Sequence, residues 1–437
     1  MFVIEMALIQ KFNISQKRVT FLFDSLIVLL NLSNSYSIIP YLLFFQYSRE
    51  ANTAIIFILN LIFLWVRFNV KVLFPTKSIL FFIYLLINIT NILASILSNT
   101  GGLLPALYLI SNTLFYIILY NLYSQYANEF KPFESFKYIT RGYIWLASLC
   151  IFGMITLFIL IKIGVNPLIN NISTKYDLFA DNYRMGSNYF FPYISIIGGR
   201  GIRFEFFQEL GIIYGLYHEP HIVTFMLFPA LFLFLYKSET KHRIYIILIY
   251  VLILLLTVST TNILSVLFCI IVLISIKLKN NFAGGFIFLF ISIGLGFLIY
   301  KNFDNSILYI LGKVEGAGGS KDYSMETIKF AFTPNTLLGS NFMSNTYLHE
   351  ISTNPRDVGF ISFTLNIFFL LIVYFKTIKL ILSKNKMKIA IGFSTLYFML
   401  HSTKVAMVSY SLSFLIFMIF LITTYSNIKE DKMEIKL

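Results

Sequence analysis

The chain has 437 residues, of which 58% are hydrophobic and only 12% charged, with a mean hydropathy of +0.78. A soluble protein of this length carries roughly 25% charged residues, so the composition excludes an ordinary soluble domain and predicts a polytopic membrane protein. The net charge of +14 is spread through short gaps between apolar runs, the pattern of the positive-inside rule rather than of a nucleic-acid-binding surface.

In chain order, the apolar runs predict twelve helices at about 19–46, 52–66, 78–98, 103–124, 143–163, 219–236, 244–258, 262–276, 283–299, 356–375, 389–402 and 405–425. Runs such as 78–98 and 221–236 are long enough, or nearly so, to cross about 30 Å of hydrocarbon. The first follows Lys11, Lys17 and Arg18 and lacks a small-residue cleavage site, so it reads as a retained span rather than a signal peptide. Asn31, Asn34 and Pro40 interrupt it. Asp24 lies about two turns inside it. An intramembrane carboxylate is a candidate for function, and a bond to Asn31 or to a neighbouring helix is the plainer account. Cys150 and Cys269 fall within apolar spans, as lipid-facing or packing residues outside any disulfide framework.

With the N-terminus in the cytoplasm, the alternate gaps hold 22 of the 34 basic residues, from Lys11, Lys17 and Arg18 through Arg67, Lys131, Lys137, Arg141 and Lys376 to Lys436. Both termini are therefore expected inside. Two long loops, 164–218 and 300–355, then face outward from a single membrane domain of 1–437. Loops held by a rigid scaffold are where function concentrates.

The first loop carries "IIGGRGIRFEFF" (196–207), with Arg200 and Arg203 among glycines and Arg184 upstream. Guanidinium forks suit phosphate oxygens, either in a polyanion site or at lipid headgroups. "GLYHEPHIVTF" (215–225) follows. Pro220 suits the first helical position. Glu219 suits the cap, where an anion meets the positive end of the helix dipole, and it is also a candidate base with His221 beside it. "TVSTTNIL" (257–264) reads as a hydroxyl-rich reverse turn. In the second loop "EGAGGSKD" (315–322) is a turn or an anion nest. "SNTYLHEISTNPRDVGF" (344–360) gathers His349, Glu350, Arg356 and Asp357 before the next helix. Two histidines three apart fall short of a zinc site, which needs a third protein ligand.

"GLYHEPHIVTF", "LTVSTTNILSV" and "SNTYL…RDVGF" resemble, respectively, the glycine…glutamate–proline motif, the serine/threonine turn and the second-loop signature of bacterial O-antigen and capsule repeat-unit polymerases (the Wzy type), relatives of the O-antigen ligases. Ser344 stands where that signature often has histidine, and Asp357 where it has glutamate. The resemblance implies an all-α bundle of about twelve transmembrane helices with two large external loops, of the integral-membrane (GT-C-like) glycosyltransferase type, in the bacterial cytoplasmic membrane.

It also implies a metal-independent glycosyltransferase without cofactor. The enzyme would move a growing glycan from polyprenyl diphosphate onto a new lipid-linked oligosaccharide repeat for lipopolysaccharide or capsule. Its partners would be that lipid-linked oligosaccharide, the bilayer, a chain-length regulator and a flippase. On this reading Arg200, Arg203 and Arg356 hold the diphosphate, since placed charge is often the largest catalytic contribution. The acceptor hydroxyl's base, which must lie within hydrogen-bond reach, is Glu219, His221, His349 or Asp357. A flippase or exporter of lipid-linked oligosaccharide, or an O-antigen ligase, is the alternative.

Overall fold

A computed structural model describes residues 16–33, 49–69, 79–97, 103–165, 189–190, 195–197, 212–216, 220–237, 240–257, 260–278, 360–402 and 412–428. They form eleven α-helices: α1 (Gln16–Ser33), α2 (Arg49–Phe63), α3 (Ile79–Leu97), α4 (Leu103–Glu129), α5 (Pro132–Lys162), α6 (Pro220–Lys237), α7 (Thr240–Thr257), α8 (Thr260–Leu278), α9 (Phe360–Ile381), α10 (Lys386–Ser402) and α11 (Leu412–Asn427). The span expected at 283–299 lies outside the described residues.

The described residues form the expected helical bundle, with one small addition. Between α5 and α6, β1 (Tyr189–Phe190), β2 (Ser195–Ile197) and β3 (Ile212–Gly215) form a three-stranded antiparallel sheet in that order. Strands of two to four residues are too short to leave an alternating pattern in the sequence.

Among the described residues one helix, Pro132–Lys162, is long and apolar enough to cross a membrane. It starts well before the run expected at 143. Pro132 occupies its first turn and Lys131 is extended (φ −58°, ψ 152°), as the residue before a proline prefers. Hydropathy hid this beginning because Glu134, Lys137 and Arg141 lie within it.

The bundle is apolar outside and partly polar inside. Phe152, Ile163, Ile244 and Phe375 are each about two-thirds exposed, while Asn31, Asn60, Asn88, Asn121, Thr224 and Asn262 are buried. Asn31 and Asn60 exchange amide hydrogen bonds of 2.8 and 2.5 Å between α1 and α2. Gly142 lets α1 and α5 approach closely, for a Cβ there would stand 2.3 Å from the Ser25 carbonyl oxygen. Small residues at helix contacts serve this purpose in bundles driven by packing.

The ends of several helices meet at one end of the bundle. Ser135, at the start of α5, is 3.1 Å from the Tyr425 hydroxyl at the end of α11. Lys376, late in α9, donates to Ser426 at 3.2 Å, and Lys388, at the start of α10, donates to the Ile428 carbonyl at 2.6 Å. These lysines belong to gaps that the charge pattern assigns to the inside.

Candidate functional site

The helix that begins with the "HEPH" stretch lies at the centre. α6 starts at Pro220, as expected from the missing N–H, and contains a second proline, Pro229. A proline inside a helix leaves the carbonyl four residues back without its usual donor and loosens the ladder around it. Neighbouring helices supply hydroxyls to other carbonyls of α6 on either side of this position. Tyr397 donates to the Thr224 carbonyl at 3.3 Å, Tyr250 to Leu227 at 3.2 Å and Ser394 to Pro229 at 2.8 Å, and Tyr143 donates to Met226. Three helices, α5, α7 and α10, thus grip α6 around its proline. Phe228 stacks on Tyr397 (5.5 Å) and meets Tyr250 edge-on (5.4 Å).

Tyr397 also joins the first two sequence motifs. Its hydroxyl bonds the side-chain oxygen of Asn262 as well as the carbonyl of Thr224. Thr224 comes from "GLYHEPHIVTF" and Asn262 from "TVSTTNIL". The latter residue lies in the first turn of α8, so this turn's asparagine faces the bundle interior and is fully buried. Thr257, last residue of α7, is buried beside it in sequence and bonds back to the Ile253 carbonyl at 2.9 Å.

The strand leading to α6 is sunk into the bundle. Gly215 has φ +62°, a conformation that glycine adopts freely. A Cβ on it would come within 2.4 Å of the Cys150 sulfur and 3.1 Å of the Met154 sulfur. Ile213 is fully buried and Leu216 nearly so. Cys150 lies about 18 Å of helix before the end of α5 at 1.5 Å per residue. Gly215 therefore lies beside the middle of α5.

The arginine segment is tied to the same strand. Ile197 pairs with Ile212 and Ser195 with Gly215, with a register shift between Ser195 and Ile196. Ile197 and Ile212, which flank the segment of sequence that carries Arg200 and Arg203, are therefore neighbours in the sheet. Arg200 and Arg203 themselves, with Glu219, His349, Arg356 and Asp357, lie outside the described residues. Of the expected site only His221 falls within a described element, as the second residue of α6.

Asp24 proves to be fully buried, and its partner is Arg67 rather than Asn31. The Arg67 Nε is 3.5 Å from the Asp24 carboxylate, and its Nη2 is 3.2 Å from Glu129 at the end of α4. A π-turn, Leu64–Phe68, closed by Asn69 in the left-handed conformation (φ 49°), carries Arg67. Asparagine is among the few residues that visit that conformation routinely. Nothing in the sequence marks a π-turn, so this partner was hidden.

The described residues define a helical bundle with an apolar exterior, a central helix that carries an internal proline, and a small sheet packed against it. Comparison with protein-family models finds none that matches, and comparisons with curated proteins and with solved structures find no match either.

Proposed function

We propose that this chain is a polysaccharide polymerase of the cytoplasmic membrane, with both termini inside, that transfers a growing glycan from polyprenyl diphosphate onto a lipid-linked oligosaccharide repeat at the outer face. The observation that carries the reading is the pairing of β2 with β3. It joins the ends of the arginine-bearing segment to the strand before Glu219. A diphosphate leaving group and an acceptor hydroxyl need these two chemistries, fixed cations and a base, at one place.

Two further features support it. The bundle's exposed apolar belt suits a bilayer, and the lysines meeting at one bundle end agree with the charge pattern. The roles follow from the chemistry: Arg200, Arg203 and Arg356 take the diphosphate, and Glu219 leads His221, His349 and Asp357 as base.

The test uses purified protein in detergent with a matched lipid-diphosphate-linked repeat and EDTA. A ladder of lengthened glycans, lost in Arg203→Ala and Glu219→Gln, is expected. No ladder, with the same lipid crossing reconstituted vesicles, would make the chain a transporter and sink the proposal.

A further inference from the structure

The groove between α1 and α5 presents a cation with no counter-charge of its own. Arg141 lies over the Phe21 ring at 4.4 Å and over the Trp145 ring at 5.1 Å. Phe21 meets Tyr138 edge-on at 4.4 Å, and Tyr138 stacks on Phe130 at 4.3 Å. Aromatic rings therefore fix the guanidinium by its faces. Among the described residues the ion pairs belong to Arg67, and Arg141 has neither ion pair nor hydrogen bond. Its N–H edges remain for an acceptor with several oxygens, the geometry for which arginine is suited.

The surroundings narrow the class of ligand. α1 and α5 run parallel, since Phe21 faces Tyr138 and Arg141 while Ser25 and Leu29 face Gly142. Lys17 and Arg18, in the first turn of α1, thus stand at the same end as Lys137, which is exposed and over the Phe133 ring at 4.4 Å. The carboxylates acting on Tyr138 are Glu134, in the first turn of α5, and Asp24 and Glu129, both of which are paired with Arg67. Further along, one to two turns past Arg18 on α1 and about three turns past Arg141 on α5, the surface becomes apolar. Leu22 and Leu26 on α1 are 45% and 42% exposed, and Phe152 on α5 is 69% exposed. On parallel helices, residues at these spacings fall on the same side of the contact as Arg141. The groove is cationic at the end assigned to the cytoplasm and apolar toward the middle.

We infer that the α1–α5 groove binds an anionic phospholipid of the inner leaflet. The phosphate rests on Arg141 and Lys137, and the acyl chains lie along Leu22, Leu26 and Phe152. Basic pockets between membrane helices favour such headgroups because the leaflet is negatively charged. This rests on the membrane reading and is independent of the polymer chemistry.

The test is native mass spectrometry of the full chain in detergent, titrated with phosphatidylglycerol or phosphatidylcholine, with inorganic phosphate as competitor. Selective retention of phosphatidylglycerol is expected. Lys137→Gln, an exposed change that spares the fold, should weaken it about fivefold, and Lys137→Gln with Arg141→Gln about thirtyfold. Lys379→Gln with Lys384→Gln, an equal loss of charge on α9 and the turn after it, should leave retention unchanged. Equal retention of both lipids, the same loss in the α9 pair, or an undiminished Lys137→Gln would overturn the inference. Displacement by phosphate at the lipid's own concentration would also overturn it, as it would mark a site for free anions.

Discussion

Replacing Tyr397 with phenylalanine removes one oxygen and leaves the ring in place on Phe228, stacked at 5.5 Å and 18°. That oxygen serves both the Thr224 carbonyl and the Asn262 side chain, and all three residues are buried. Side-chain hydrogen bonds between membrane helices contribute about 0.6 kcal/mol on average and about 1.7 at most. The two acceptors share one proton, so their contributions are not added. Leaving a buried acceptor without its donor costs about 1–3 kcal/mol in proteins generally. The expected loss of stability in Tyr397→Phe is therefore about 1–2 kcal/mol.

The decisive quantity is the coupling. A cycle of Tyr397→Phe, Asn262→Ala and the double variant, unfolded reversibly in mixed micelles, should show an interaction energy of about 0.6–1.7 kcal/mol. Sites that do not touch add to within about 0.3–0.5 kcal/mol. A coupling below that floor would mean that Tyr397 does not join the two motifs, and the account of how α6 and α8 are held together would fail.

At Gly215, alanine meets two penalties: a left-handed backbone, roughly 1–2 kcal/mol, and a Cβ 2.4 Å from the Cys150 sulfur. Cys150→Ala should relieve only the second, so the double variant should melt above the value that the two single changes add up to; strict additivity would count against the contact. At the Arg67 pair, Asp24→Asn should cost about 3 kcal/mol by stranding part of the Arg67 charge. Adding Arg67→Gln should restore some of that loss, and a double variant less stable than Asp24→Asn would refute the pairing.

Periodic, strongly apolar segments could be read from the sequence because hydrophobic length alone defines them. The helices at 78–98, 219–236 and 262–276 appear within a few residues as Ile79–Leu97, Pro220–Lys237 and Thr260–Leu278. Pro220 was legible for a local reason, its missing N–H. The beginning of α5 was not, because charged residues can extend a helix beyond the apolar run. Asp24 could be recognised as important, but its partner could not. Arg67 reaches it from another helix through a π-turn, and neither the distance nor the turn has a signature in one dimension. The same holds for Tyr397, an ordinary aromatic in an apolar run until α6 and α8 are placed against it.

The depth of Gly215 changes what the opening of α6 can do. A strand inside a bilayer-spanning bundle is tolerated only where protein buries it or where it borders water, because lipid satisfies no backbone group. On one side β3 is buried: Ile213 and Leu216 lie inward, and Gly215 fits against Cys150 and Met154. Its backbone is partly satisfied by β2. α5 continues about 18 Å past this level. Buried contacts on one face and strand pairing along one edge thus fix the chain where it enters α6.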